Sequence, residues 1–327
     1  VPIRRIAAKY RGRIIFWGVV IGLLLLGWAS LTEPVLVLRR NAHRPAVSSA
    51  LLEAHVKMLS VVFAKRDADH PEVLDKAAAY IRQELTRAGG RMREQTFVVE
   101  KKTYRNVIAE FGPRGGDRLI VGAHYDAIGG SPGADDNASG VAGLIELARL
   151  LGETPPQACV ELVAFTLEEP PYFATEQMGS AIHAADLKRQ GLPVRLMLSL
   201  EMIGYFSDAK GSQRFPSLPL ALLYPRRGNF IAVVGRTEDT LRARKIKKAM
   251  LVGSALPVIS LTMPLGVDES DHRNYSARGY PALMITDSAY FRNPNYHEET
   301  DTFDTLDYRR MAMVVQGVYA AVQAFAR

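Results

Sequence analysis

The apolar run Val121-Gly122-Ala123 ends in His124, and a carboxylate, Asp126, follows two residues later. Open α/β sheets hold their ligands just outside the carboxyl ends of their strands, so an imidazole there is placed to bind a metal. Asp126 could then accept the second ring N–H of His124, fixing its tautomer and raising its basicity. A structural histidine followed by a turn-starting aspartate fits the same residues. Further along, Gly133-Ala134-Asp135-Asp136-Asn137-Ala138-Ser139-Gly140 sets small and acidic residues directly before an amphipathic stretch. A helix N-cap needs one such residue and four are present, which makes Asp136 a natural carboxylate to bridge two cations.

Glu168 and Glu169 stand together where an apolar run stops and Pro170-Pro171 begins. Adjacent side chains diverge, so one carboxylate can bind metal while the other faces the attacking water, a pairing that peptide hydrolysis requires. Exposed acids at a strand end are the plainer alternative. Glu201 sits in the apolar stretch 196–203, where a lone carboxylate is costly to bury unless it is paired or metal-bound. Ser270-Asp271-His272 could simply cap a short helix. His297 lies in a loop before the last helix, where a second imidazole can close a site. His124, Asp136 and Glu201 then make one three-ligand set, and Asp136, Glu169 and His297 another.

The elements that must position these groups alternate. Helical spacing covers 48–64 and 71–88, the second closed by Gly89-Gly90; 93–110 alternates as a strand, and 119–123 reads as a strand buried on both faces. Helices are expected at 140–151, 175–190, 238–252 and 306–325, the third of them rich in Lys/Arg. Strands are expected at 160–167, 196–203, 230–234, 257–261 and 282–286. Residues 208–229 hold three prolines, two glycines and three arginines and read as a loop or lid, in which Tyr224, Arg226 and Arg227 could shape a pocket. The fold class is α/β, a mixed, mainly parallel central sheet flanked by helices. Cys159, the only cysteine, falls in an apolar segment and reads as a core side chain.

The chain has 327 residues and a formal charge of +7, yet residues 1–44 carry eight Lys/Arg against one Asp/Glu and the remainder holds 33 of each. The basic character therefore belongs to the N-terminus and not to a nucleic-acid-binding face. Arg4, Arg5, Lys9, Arg11 and Arg13 precede an uncharged apolar run at 14–31, long enough to span a bilayer. They outnumber Arg39, Arg40 and Arg44 behind it, which favours a cytoplasmic N-terminus. Trp17 and Trp28 suit interfacial anchors, and Gly27-Trp28-Ala29-Ser30 is a poor cleavage site, so the run reads as an uncleaved signal anchor, with a cleaved signal peptide as the alternative.

Taken in order, the motifs H-x-D, D-D-N-A-S-G, E-E, E-M-I-G, S-D-H and Y-H-x-x-x-D-T strongly resemble the bacterial leucyl aminopeptidase family of co-catalytic di-zinc exopeptidases, which also includes the glutaminyl cyclases. The resemblance covers about 104–325. It implies a zinc-exopeptidase (phosphorylase/hydrolase-like) fold and two Zn2+ ions held by His124, bridging Asp136, Glu169, Glu201 and His297. It also implies Glu168 as general base and Asp126 behind His124. Glu201 departs from the family, which has Asp there, and Pro170-Pro171-Tyr172-Phe173 replaces a Gly-containing sequence.

The organisation expected is a basic cytoplasmic terminus at 1–13, a transmembrane signal anchor at 14–31, a linker at 32–47 and a zinc-exopeptidase domain at 48–327. That domain would stand on the periplasmic or extracellular side of the inner (cytoplasmic) membrane. The activity implied is a membrane-anchored, zinc-dependent aminopeptidase cutting a peptide or aminoacyl amide near a free N-terminus. The lipid bilayer is its partner through the apolar helix, with no nucleic acid. Two alternatives share the resemblance: a glutaminyl-cyclase-like acyltransferase with a single zinc, and a non-catalytic anchored binding domain.

Overall fold

The computed structural model describes residues 2–37 and 46–326. Arg39, Arg40, Arg44 and the middle of the expected linker lie outside the described residues. Pro2–Thr32 forms helix α1, in which the twenty residues Tyr10–Ala29 have a mean hydropathy of 1.9 and none of that stretch is buried in the fold. At 1.5 Å per residue this reaches about 30 Å, the thickness of bilayer hydrocarbon.

Next come α2 (Ser49–Lys57), capped by the Ser48 hydroxyl accepting from the Leu51 amide and continued by a wider turn at Met58–Val62, and α3 (Pro71–Arg87). Pro71 suits the first turn of α3, where an N–H has no partner to lose. The expected strand at 93–110 is a hairpin, β1 (Arg91–Val99) and β2 (Lys102–Phe111). Its turn residues Glu100 and Lys101 both have positive φ, 48° and 68°, a conformation usually announced by Asn or Gly. Neither is present, so the break carries no signal in the sequence.

The chain continues as β3 (Arg118–His124), α4 (Gly140–Glu153), β4 (Val160–Phe165), α5 (Gly179–Arg189) and β5 (Val194–Glu201). After these follow α6 (Leu218–Leu223), β6 (Ile231–Arg236), α7 (Thr240–Gly253), β7 (Val258–Met263), α8 (His272–Ser276), β8 (Ala282–Thr286) and α9 (Tyr308–Phe325). Two of these shift from expectation. Helix α5 starts at Gly179 because 170–178 is spent in turns, and the loop expected at 208–229 contains α6.

The eight strands form one mixed sheet in the order β1-β2-β4-β3-β5-β8-β6-β7. Strands β4, β3, β5 and β8 are parallel, while β6 and β7 run antiparallel to β8. Every residue of β3 and β4 is buried, which explains the apolar run 119–123 of β3 and a β4 whose one charge, Glu161, is paired with Arg118. The larger core joins the sheet to α2, α3, α4, α7 and α9, and a smaller one lies under α5 and α8. Cys159 is buried, as expected of a core side chain.

Candidate metal centre

Because β3, β4, β5 and β8 are parallel, their carboxyl ends gather on one side of the sheet, and all seven expected residues arrive there. His124 is the last residue of β3 and Glu201 the last of β5. Glu168 and Glu169 lie just beyond β4, Asp126 and Asp136 in the β3–α4 loop, and His297 in the β8–α9 loop. Three backbone positions in the left-handed region sit beside them: Leu167 (φ 60°), Met202 (φ 50°) and His297 itself (φ 62°). Such conformations cost on the order of 1–3 kcal/mol each and persist where the surrounding structure enforces them, as at functional sites.

The Asp136 carboxylate lies between the two imidazoles. Its Oδ1 is 3.3 Å from His124 Nε2 and its Oδ2 is 3.2 Å from His297 Nε2. Outside this trio, Glu201 Oε1 stands 3.4 Å from His124 Nε2, and Glu169 Oε2 stands 3.4 Å from His297 Nε2. Glu168 Oε2 is 3.8 Å from His124 Nε2. Asp126 sits behind the ring: its backbone carbonyl is 3.1 Å from His124 Nδ1 and its Oδ1 3.6 Å, while its Oδ2 accepts the Glu169 amide at 3.0 Å.

The loop that presents Asp136 is held by groups to which the sequence reading gave no role. Asp301, buried, accepts the amides of Asp135 and Asp136. The Asn137 side chain accepts from the amides of Gly140 and Met202 and donates to the Leu200 carbonyl, tying the loop to the end of β5. The Arg66 guanidinium, also buried, donates to the carbonyls of Leu59, Pro132 and Gly133. Gly133 has φ 62°, and a Cβ there would meet the Asp136 carbonyl at 2.3 Å. A Cβ at Gly140 would meet Asn137 Oδ1 at 2.4 Å and the Leu200 carbonyl at 2.5 Å. The run of small residues is therefore a packing requirement as well as a source of donors. The contacts of Arg66 with Pro132, of Asn137 with Leu200 and Met202 and of Asp301 are long-range, that of Asp301 with the Asp136 amide spanning 165 positions.

Ser270 also has a definite place. Its hydroxyl donates to Glu201 Oε2 at 2.6 Å and lies 2.9 Å from the Ser199 hydroxyl, while His272 is packed against the Val267 carbonyl. A glutamate has one more rotatable bond than an aspartate, and the Ser270 contact restrains it. Ser270→Ala is expected to weaken metal binding through Glu201 by about 10-fold, as loss of a group orienting a ligand does. Competition with a chromophoric metal chelator measures this, and an unchanged affinity would reject it.

The profile of peptidase family M28 matches residues 106–322. The chain belongs to peptidase family M28. This M28 chain is 44% identical over 317 residues to the Escherichia coli K12 protein YfbL, covering 94% of this chain and 97% of that one. It is 28% identical over 218 residues to a probable leucine aminopeptidase 1 of Trichophyton verrucosum, covering 63% of this chain and 54% of that one. It thus spans about half the length of this fungal relative. Among solved structures, a zinc aminopeptidase of Bacillus subtilis has a TM-score of 0.67 at 16% identity, covering 86% of this chain and 96% of that one. A Bacteroides thetaiotaomicron glutaminyl cyclase has a TM-score of 0.66 at 18% identity, covering 86% and 99%. These likenesses show a shared fold, and membership of M28 makes this chain a zinc-dependent metallopeptidase-type hydrolase.

The electrostatics of the M28 site call for cationic charge. Burial pushes the Glu168 carboxyl well above its ordinary value, and burial with the neighbouring Asp136 charge pushes Glu169 up to about 7. For Asp136 burial is overcome by its contacts with His124 and His297, which hold it well below the carboxylate range. Those contacts in turn lift His297 to about 10 against the effect of burial, and Glu201 and Glu168 raise His124 in the same way. Too many carboxylates share too little positive charge, the condition a bound cation relieves. The donor set fits zinc, which takes imidazole nitrogen and carboxylate oxygen. His124, Asp136 and Glu169 each offer an atom within 4.8 Å of the others, and Glu169 Oε1 is buried with no hydrogen-bond partner.

A cavity of about 380 Å³ opens from this cluster. Its main walls are apolar: Phe230 just before β6, Ala232 and Val234 along one face of β6, and Ile259, Leu261 and Met263 along the same face of β7. Phe173 and Pro170 of the unusual Pro170-Pro171-Tyr172-Phe173 sequence also line it. From the 208–229 segment the cavity takes Gln213, Arg214, Phe215 and Pro216, not Tyr224, Arg226 or Arg227. Tyr224 is buried, stacked on Phe215 and bonded to the Ser260 carbonyl, and Arg226 and Arg227 are exposed.

Proposed function

We propose that the chain is a membrane-anchored, two-zinc aminopeptidase that hydrolyses the peptide or aminoacyl-amide bond next to a free N-terminus. The reading is carried by the Asp136 carboxylate, which directs one oxygen to each imidazole, with a further glutamate beside each of them. His124, Asp136 and Glu201 would hold one zinc ion, and Asp136, Glu169 and His297 the other. Bound there, zinc supplies Lewis acidity toward a scissile carbonyl and toward water. Glu168 is buried at the same edge of the cavity and ligates neither ion in this scheme. It takes the proton of the attacking water and returns it to the leaving nitrogen. Asp126 holds the β4 loop through the Glu169 amide and stands behind the His124 ring.

The apolar cavity beside the cluster suits an apolar side chain at the N-terminal residue, in keeping with the leucine aminopeptidase name of the fungal relative. Helix α1 is read as the anchor, with the catalytic domain on the exported side of the cytoplasmic membrane and residues 32–47 as linker. Zinc-loaded full-length protein in detergent is expected to release the amine from a leucyl arylamide roughly 100-fold faster than from its N-acetylated counterpart. Equal rates would reject the aminopeptidase reading. Ammonia release from N-terminal glutaminyl peptides with one zinc per chain would instead give the cyclase.

A further inference from the structure

Helix α7 carries Leu241, Arg244, Lys245 and Lys248 at i, i+3, i+4 and i+7, a single stripe of its surface, and all four are exposed. Its opposite stripe, Ala243, Ile246 and Met250, is buried. From Thr240 to Val267 the chain has five Lys/Arg and no Asp/Glu. Of the two acids just before this stretch, Asp239 is taken up by Arg242 at 2.9 Å and Glu238 is exposed one turn ahead of Leu241. Among the described residues no ion pair involves Arg244, Lys245 or Lys248.

The end of the apolar helix α1 is fastened to this same helix. Lys247 Nζ donates to the carbonyls of Thr32 at 2.8 Å and Glu33 at 3.1 Å, and Arg244 reaches the Pro34 carbonyl at 3.4 Å. The buried Glu33 carboxylate accepts the Thr262 hydroxyl near the end of the edge strand β7. Thr262 faces this junction, while its neighbour Met263 faces the cavity. Leu265, 78% exposed, stands at the cavity's outer end, and Leu241 is 71% exposed at the start of α7.

We propose that this face, α7 together with the end of β7, docks on the surface of the bilayer that α1 enters. Arg244, Lys245 and Lys248 meet anionic lipid headgroups, and Leu241 and Leu265 reach toward the acyl boundary. The inference rests on α1 spanning the membrane and not on the peptidase chemistry. Charge complementarity selects the occupant: a patch of unopposed cations beside the exit of an apolar helix lies within a Debye length of the headgroups. The exposed leucines add the apolar component that surface-lying helices use. Docking in this way brings the outer end of the apolar cavity to the interface, where amphiphilic substrates concentrate.

The test uses full-length protein in nanodiscs of phosphatidylcholine with or without phosphatidylglycerol. A fluorophore is attached at Lys248→Cys or at Glu72→Cys, the latter on α3 near the opposite edge of the sheet; the native Cys159 is buried. Quenching by a headgroup spin-labelled lipid is expected to be about three-fold stronger at 248 than at 72 when phosphatidylglycerol is present. It should fall by about two-fold or more with Arg244→Glu and Lys245→Glu, or in high salt. An unchanged unfolding midpoint shows that the charge-reversed protein is folded. Equal quenching at the two positions, or indifference to lipid charge, would overturn the docking. Quenching that follows protein density and not lipid composition would assign the face to a second copy and overturn it too. Extraction of wild-type protein from vesicles by alkaline carbonate would reject the spanning helix itself, separately from the docking and from any peptidase assay.

Discussion

Glu168→Gln is expected to lower kcat on a leucyl arylamide by about 10³-fold while leaving the zinc content of the protein unchanged. The substitution conserves shape and one hydrogen-bond acceptor, so the buried pocket beside His124 stays filled. What it removes is the ability to hold a proton. Glu168 is suited to that task because burial destabilises its charged form and moves its carboxyl toward neutrality. The geometry separates it from its neighbour. Glu169 donates its backbone N–H to the Asp126 carboxylate and turns its own carboxylate to His297, whereas Glu168 lies 3.8 Å from His124, farther than Glu201 or Asp136. The two adjacent carboxylates face different imidazoles, Glu168 that of His124 and Glu169 that of His297. Parallel measurement of kcat and of zinc by atomic absorption decides the matter. Normal turnover would remove Glu168 from the chemistry, and loss of one zinc would make it a ligand.

Much of this arrangement was legible in the sequence because parallel strands impose a simple rule: donors at strand ends converge. His124 and Glu201 end buried strands, and Glu168 and Glu169 follow another, so their positions in the sequence point to one end of the sheet. The supporting groups were not legible for a physical reason. Asp301 acts 165 residues from Asp136, Arg66 acts through backbone carbonyls that carry no residue identity, and Ser270 resembles any helix cap until Glu201 is seen against it. The β1–β2 turn was hidden because Glu100 and Lys101 adopt a conformation that their side chains do not favour. The cavity was hidden because β6 buries Ile231 and Val233 in the core and turns Ala232 and Val234 to the pocket, so both of its faces are apolar.

The second large effect expected is that of Asp136→Asn, which should abolish turnover and reduce zinc binding at both positions together. A structural zinc ion is bound with about 10–16 kcal/mol from all its ligands, so one of four contributes roughly 3 kcal/mol, more than 100-fold in affinity. A bridging carboxylate incurs that loss twice, because each of its oxygens faces a different imidazole at 3.2–3.3 Å. Glu201→Gln and Glu169→Gln each touch one side only and should leave one zinc per chain. The asparagine is nearly isosteric, and the Asp301 and Asn137 contacts that shape the loop go to backbone groups, so the fold should persist. Equilibrium dialysis against buffered zinc distinguishes the cases by stoichiometry alone, without reference to substrate. If Asp136→Asn retained one tightly held ion while Glu169→Gln lost both, the bridge would belong to Glu169 and the division of ligands between the two imidazoles would have to be redrawn.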